Sequence, residues 1–113
     1  MARVIGREEL RARLERGDRL VLVEALDPRE FRKFHLPGAL NLPWQRVRER
    51  AAELLPDRDA EIVVYCAVRT CDAATKALLA LEDMGYENLY HYLDGKHDWR
   101  EAGLPVETPG ARA

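Results

Sequence analysis

Two cysteines, Cys66 and Cys71, are the side chains of this 113-residue chain best suited to nucleophilic chemistry. A thiol becomes a strong nucleophile when it is ionised, and the positive end of a helix or a nearby cation favours that ionisation. Cys66 directly follows the strand-like run 61–65, and a helical pattern begins at Asp72. This strand-loop-helix context predicts a reactive thiol at Cys66; the alternative is a buried cysteine that packs as a small hydrophobic residue.

The loop between that strand and that helix reads Cys66-Ala67-Val68-Arg69-Thr70-Cys71. Its backbone N–H groups can converge on the sulfur of Cys66 and form an anion-binding nest. Arg69 would guide an anionic ligand to this nest, unless it is one more surface arginine. For Cys71 two roles remain open. It either packs at the helix N-terminus or acts as a resolving thiol that forms a disulfide with Cys66.

The other ionisable residues near the turns are interpreted as structural. His35 lies in a turn and should bond backbone groups rather than act as a general base. Asp72 is placed to cap the helix that follows it, and its charge opposes anion binding. The Cys-x4-Cys pair and the pair His91 and His97 lie at the edge of the ligand spacing of structural zinc sites. We therefore expect no metal and no cofactor.

The composition is that of one globular domain, and its charge balance does not indicate a nucleic-acid partner. Hydrophobic residues make up 47% of the chain and charged residues 34%, and the formal net charge is -2. Without a basic half, we expect no nucleic-acid partner. The apolar runs are shorter than the ~20 residues of a membrane span, and the charged N-terminal segment interrupts any signal-peptide core. We therefore expect no membrane partner and a cytoplasmic location. Two cysteines are also too few for the disulfide framework of a small secreted domain.

The hydrophobic pattern predicts strands that alternate with helices around one core. Strands are predicted at 3–5, 20–26, around 39–40, 61–65 and 89–92, and helices at 7–16, 28–33, about 45–54 and 72–84. A short helix then holds Trp99, and the tail should fray after Glu107. Trp44, Tyr65, Trp99 and the Leu/Ala stripe of 74–84 are assigned to the core. This alternation predicts an α/β three-layer fold around a mostly parallel sheet.

Three stretches of the chain resemble the rhodanese-like sulfurtransferase domain. The first, residues 22–43, contains His35-Leu36-Pro37-Gly38-Ala39-Leu40-Asn41. The second joins Val63-Val64-Tyr65-Cys66 to the loop and the Ala-rich helix, and the third runs from Gly85-Tyr86 through Gly95 and Trp99 to residue 106. The resemblance covers about residues 3–107. It implies a single rhodanese-like domain over 1–113, with a five-stranded mostly parallel sheet flanked by helices.

The resemblance also implies an activity. Cys66 would take up a sulfane sulfur as a persulfide, the amides of Ala67 through Cys71 would cradle the outer sulfur, and a nucleophilic acceptor would then remove it. The expected donor is a small sulfur compound such as thiosulfate, a polysulfide or a persulfide, and the acceptor is a thiol or a protein. Nothing in the chain indicates an oligomeric state.

Two departures from the family pattern bear on the donor. Cys71 stands where the active loop usually ends in arginine, and Glu24-Ala25-Leu26 stands where Asp-Val-Arg is usual. The anion-binding charge has therefore changed place, which argues against thiosulfate as the natural donor. The Cys-x4-Cys loop resembles a subfamily trait, a second cysteine at this end of the loop.

Two other functions are weighed against sulfur transfer. A non-catalytic rhodanese-like module would bind a protein or an anion, and its cysteine would be incidental. A thiol phosphatase or arsenate reductase would need a longer loop ending in arginine. Here the sixth residue after Cys66 is Asp72, whose charge repels phosphate.

Overall fold

The computed structural model describes residues 2–109, and strands and helices alternate along this part of the chain. The strands are β1 (Arg3–Ile5), β2 (Leu20–Glu24), β3 (Leu40–Asn41), β4 (Glu61–Tyr65) and β5 (Leu89–Tyr92). The helices are α1 (Arg7–Glu15), α2 (Pro28–Lys33), α3 (Val47–Leu54), α4 (Ala73–Asp83) and α5 (Gly95–Glu101), with a 3₁₀ turn at Trp44–Arg46 before α3. Among these residues, no helix has the length and apolarity that a membrane span requires.

All five strands form one sheet in the order β1-β5-β4-β2-β3, and every neighbouring pair is parallel. The predicted α/β fold with a five-stranded sheet is confirmed, and the sheet is fully parallel. In the sheet register, Tyr65 at the end of β4 lies between Glu24 of β2 and Tyr92 of β5. The carboxyl ends of the three central strands therefore meet at one edge, and ligands of open parallel sheets bind beyond this edge.

Two apolar layers cover the two faces of the sheet. On one face Val23, Ile62 and Val64 pack against the buried residues of α3 and α4, and Cys66 belongs to this cluster. On the other face Leu22 and Val63 pack against Leu10 of α1 and Trp99 of α5, among others. Because both faces are covered, the central strands are apolar throughout rather than alternating, as their sequences predicted.

The main errors of the sequence prediction lie at the edges of elements. Strand β2 ends at Glu24 instead of residue 26: Glu24 and Tyr65 are the last pair in its register with β4, and the carbonyl of Leu26 accepts from the side-chain amide of Asn41 (2.7 Å). Trp44 was assigned to the core but is 36% exposed. It opens the 3₁₀ turn, and its ring receives the ammonium group of Lys76, which lies 4.4 Å from the ring centroid. A partly solvated cation-π contact thus replaces core packing.

The segment around His35 holds the C-terminal residues in place. Nδ1 of His35 lies 2.9 Å from the carbonyl oxygen of Phe31, which confirms the predicted backbone bond. His35 and Glu107 form an antiparallel bridge, with backbone N–H to carbonyl distances of 2.8 and 3.0 Å. Glu107 is therefore tied to the domain. The tail predicted to fray begins after it, and residues 110–113 of that tail lie outside the described residues.

His91 generates a prediction about the pH dependence of stability. It is half-buried on β5, and this burial lowers its pKa below the ordinary value. The unfolded chain takes up the proton near pH ~6.5, whereas the folded chain resists it, so the folded state loses stability as the pH falls through that range. We expect His91→Gln to weaken this loss between about pH 7.5 and about pH 5, measured by urea unfolding. An unchanged pH dependence would contradict the assignment.

Candidate active site

The cysteine loop fills the space between β4 and α4 at the carboxyl edge of the sheet. Cys66 directly follows β4, and α4 begins two residues after Cys71. Asp72 stands at the N-cap position as predicted, but its side chain makes no capping hydrogen bond. Its carboxylate instead lies 3.5 Å from the ammonium group of Lys76. The N-terminus of α4 therefore carries no side-chain cap at the end nearest the loop.

Cys66 and Cys71 form a disulfide, with their Cα atoms 6.4 Å apart. The loop thus turns Cys71 toward Cys66, and Cys71 also packs against the core beside α4. The two roles left open for Cys71, packing and pairing, are combined in one geometry. Cys66 is 3% exposed, whereas Cys71 is half-buried. The thiol that the sequence analysis expected to be accessible is therefore enclosed in this oxidised state.

The amides of the loop remain largely available. Cys71 N–H donates to the carbonyl of Val68 (3.1 Å), which removes one of the five predicted donors. Within residues 2–109, the N–H groups of residues 67–70 have no hydrogen-bond acceptor. The sulfur of Cys66 instead lies 3.4 Å from the carbonyl oxygen of Cys71. The cradle is not assembled around the sulfur in the disulfide-bonded loop, because bridging brings carbonyls there, and it stays a prediction for the reduced loop.

Arg69 lies at the rim of the loop rather than against the sulfur. Its side chain is 63% exposed, and Nη1 lies 3.6 Å from a carboxylate oxygen of Asp94 in the turn after β5. The neighbouring loop residues Val68 and Thr70 are exposed as well, and Ala67 is half-buried. The predicted cation is therefore close to the site, with its charge partly offset by a carboxylate.

Helix α5 holds the start of the loop through two backbone hydrogen bonds. Lys96 N–H donates to the carbonyl of Cys66 (2.9 Å), and His97 N–H donates to the carbonyl of Ala67 (3.1 Å). The described backbone has no cis peptide bond, so each N–H points opposite to the carbonyl of the same peptide unit. The N–H groups of Ala67 and Val68 therefore point away from α5. Sequence reasoning found the turn before α5 but could not find this long-range contact.

A buried ion pair lies beneath this edge, and the sequence analysis missed it. Glu24 at the end of β2 and Lys96 of α5 are 0% and 1% exposed, and their charged groups are 2.9 Å apart. The ammonium group also donates to the carbonyls of Glu30 (2.8 Å) and Phe34 (2.7 Å). Tyr65, the residue before Cys66, donates its hydroxyl hydrogen to Glu24 (3.0 Å). All polar atoms of this cluster are satisfied.

Burial and the neighbouring Lys96 act in opposite directions on the ionisation of Glu24. Burial raises the pKa of Glu24, and the hydrogen bond and charge of Lys96 oppose that rise. Burial also raises the pKa of Tyr65, with the carboxylate of Glu24 adding to the effect. Tyr65 therefore stays a hydrogen-bond donor. The signal available in the sequence was the single acidic residue at the end of an otherwise apolar run.

No group of three or more histidine, cysteine, aspartate and glutamate side chains is arranged to hold a metal among residues 2–109. The disulfide engages both cysteines. The candidate site consists of these two cysteines, the loop amides and the buried ion pair.

Comparison with known proteins identifies the family. A model described as "Rhodanese-like domain" matches residues 6–102. The chain belongs to the rhodanese-like domain family. Its fold is shared by the solution structure of the rhodanese-like domain of the Anabaena protein Alr3790, with a TM-score of 0.83, 26% identity and coverage of 100% of this chain and 85% of that one.

Two curated relatives of this rhodanese-like domain differ in size and name. It is 31% identical over 109 residues to "Sulfurtransferase" of Allochromatium vinosum, a match that covers 96% of this chain and 98% of that protein. It is 41% identical over 103 residues to "HTH-type transcriptional regulator Rv0324" of Mycobacterium tuberculosis, covering 91% of this chain but only 44% of the regulator. The first relative supports a sulfurtransferase family.

The close approach of Gly95 to the cysteine loop leads to a prediction about stability. Its φ is +86°, and a Cβ atom would lie 2.5 Å from the carbonyl oxygen of Ala67. Gly103 has φ +80° but open space around it, so it isolates the backbone cost alone. We expect Gly103→Ala to cost about 1–2 kcal/mol of unfolding free energy and Gly95→Ala to cost about 1–3 kcal/mol more. Chemical denaturation measures both, and equal costs would mean that α5 and the loop do not touch as described.

Proposed function

We propose that this rhodanese-like domain is a sulfurtransferase that carries sulfane sulfur as a persulfide on Cys66. The observation that carries the proposal is the position of Cys66 after the central strand, at the start of a loop in which the N–H groups of residues 67–70 have no protein acceptor among the described residues. These amides would stabilise the negative outer sulfur of a persulfide, as backbone nests stabilise other anions. The sulfurtransferase of the same length supports this activity.

The proposed reaction consists of two displacements at sulfur. The Cys66 thiolate attacks the sulfane sulfur of the donor, whose S–S bond breaks and leaves both electrons on the departing thiolate or sulfite. The acceptor thiolate then attacks the outer sulfur of the Cys66 persulfide, and the Cys66 thiolate leaves. Since no proton must be abstracted from a reduced, ionised Cys66, no general base is needed. Donor and acceptor therefore use the site in turn.

The charges at the rim favour a donor whose reacting group carries one negative charge, such as an organic persulfide. Arg69 is paired with Asp94, and Lys76 lies beside Asp72. Both cations are therefore partly neutralised, which weakens their attraction for the second charge of a dianion. Thiosulfate, which carries two charges, would therefore be bound less well than a persulfide.

We also propose that Cys71 is the resolving thiol. Its Cα atom lies 6.4 Å from that of Cys66, within the ~4.4–6.8 Å range of disulfides. In the reduced loop the Cys71 thiolate would attack the inner sulfur of the Cys66 persulfide, forming the disulfide and expelling HS⁻. The two cysteines are oxidised and the sulfane sulfur is reduced to sulfide. A dithiol reductant, of the kind maintained in the cytoplasm, would then reopen the loop.

A non-catalytic regulatory module is the second candidate function. The match to a protein named as a transcriptional regulator, and the enclosure of Cys66 in the disulfide, favour it. Such a module would respond to oxidation or ligand binding without turning over sulfur. Repeated sulfur transfer to an acceptor separates the two functions.

Cys66→Ser tests the proposed carrier. Immediately after mixing with a polysulfide or glutathione persulfide, before Cys71 resolves the persulfide, we expect the reduced protein to gain about 32 Da, one sulfur atom, and we expect Cys66→Ser to gain none. Intact mass spectrometry and a cyanide-acceptor assay measure loading and transfer. Cys71→Ser is the matched control, since it keeps Cys66 and removes the other thiol. Equal loading of wild type and Cys66→Ser would exclude Cys66 as the carrier.

Cys71→Ser tests the resolving role. After one loading with sulfur and removal of the donor, the wild type should release sulfide and form the Cys66–Cys71 disulfide without an external acceptor. Cys71→Ser should keep its persulfide until a thiol is added, since no second thiolate is within reach. Sulfide is measured colorimetrically and the disulfide by mass spectrometry under non-reducing conditions. Equal sulfide release by both proteins would assign Cys71 to packing alone.

A further inference from the structure

The backbone of Lys96 contacts the cysteine loop, and its side chain contacts the ends of two other segments. Its N–H donates to the carbonyl of Cys66 at 2.9 Å. Its ammonium group donates to Glu24 at the end of β2, and to the carbonyls of Glu30 and Phe34 in and after α2. The residue therefore connects β2, α2 and α5 to the first peptide of the loop.

Glu24 continues this connection to the other side of Cys66. Its second carboxylate oxygen accepts from the hydroxyl of Tyr65, and that hydroxyl oxygen accepts from the N–H of Leu36 (3.1 Å). Tyr65 immediately precedes Cys66. The ion pair therefore holds the backbone of Cys66 on both sides. Lys96 N–H bonds the carbonyl of Cys66, and Glu24 bonds the side chain of Tyr65, the preceding residue.

Stability alone does not account for a buried ion pair at this place. Apolar residues of similar volume often replace such pairs without loss, because desolvation of two ions offsets most of their attraction. What an apolar pair cannot supply is direction: three donors of one ammonium group meet three fixed acceptors on two segments, β2 and the α2 region. An arrangement of this kind fixes the first turn of α5 relative to the loop.

We propose that Lys96 is a positioning residue for Cys66, acting with Glu24. The ion pair fixes the start of α5, and the N–H groups of Lys96 and His97 then hold the carbonyls of Cys66 and Ala67. The N–H groups of Ala67 and Val68 are thereby turned away from α5 and left for the anionic sulfur. This inference rests on the proposed function, because it assigns these amides to the thiolate and the persulfide of Cys66.

The test measures the reactivity of Cys66 without requiring sulfur transfer. All variants carry Cys71→Ser, so that Cys66 is the one thiol, and iodoacetamide alkylation is followed as a function of pH. Glu24→Gln removes the carboxylate charge at nearly constant shape, and Glu24→Gln with Lys96→Met removes both charges, so that no ion is left buried alone. Lys33→Met is the matched control, since Lys33 is an exposed lysine paired with Glu30.

We expect the double variant to fold and its alkylation at neutral pH to slow by about tenfold, with the rate profile displaced to higher pH by about one unit. The Lys33→Met profile should not move. Sulfur loading by the double variant should slow in parallel. Should the double variant fail to fold, the Glu24→Gln profile provides the same comparison, with a displacement of the same sign.

Two outcomes separate this inference from the proposed function. If folded variants alkylate with the same profile as the Cys71→Ser protein while the wild type loads sulfur, Lys96 and Glu24 are structural only and the inference is overturned. If the profile is displaced but the wild type loads no sulfur from any donor, the positioning role stands and the sulfurtransferase proposal fails.

Discussion

The arrangement of the carboxyl edge depends on one pair of opposite charges held away from water. Removing an ammonium or a carboxylate group from water costs several kcal/mol for each ion in a real protein, so each must find partners that are already in place. Lys96 finds a carboxylate and two carbonyls, and Glu24 finds the ammonium and a tyrosine hydroxyl. These partners come from four separate segments, and they cannot all be satisfied unless the segments meet in one arrangement.

Parallel topology explains why those segments are available at that place. With β4 between β2 and β5, the residues that end the three strands are neighbours, and each chain segment leaves the sheet on the same edge. Glu24, Tyr65 and the turn before α5 are far apart in sequence but adjacent across the strands. The cysteine loop and the ion pair are therefore built from the same strand ends. Lys96 links the two directly, since its N–H donates to the carbonyl of Cys66 and its ammonium group donates to Glu24.

Local sequence patterns predicted the elements well because both faces of the sheet are covered and both helical layers are amphipathic. The bounds of β4 and β5 agree with the apolar, β-branched and aromatic runs, and α2 begins at Pro28 after an Asp27 side chain that caps it. Trp44 was misplaced because its contact with Lys76 depends on packing between two elements. The Glu24–Lys96 pair was missed for the same reason: 72 residues separate its members, and no local period relates them.

The sequence predicted the chemistry of the candidate site but did not predict that its two cysteines are joined in a disulfide. A cysteine between a central strand and a helix indicates a nucleophile, whereas the direction of Cys71 depends on the curvature of a five-peptide loop. In the folded chain Cys71 is the more exposed residue of the bridge, and Cys66 is enclosed. An external thiol that attacks Cys71 would expel Cys66 as a thiolate near the N-terminal end of α4, where the helix dipole favours a negative charge. Reduction of the bridge from the solvent side would therefore deliver the ionised form of the residue that the proposed reaction needs.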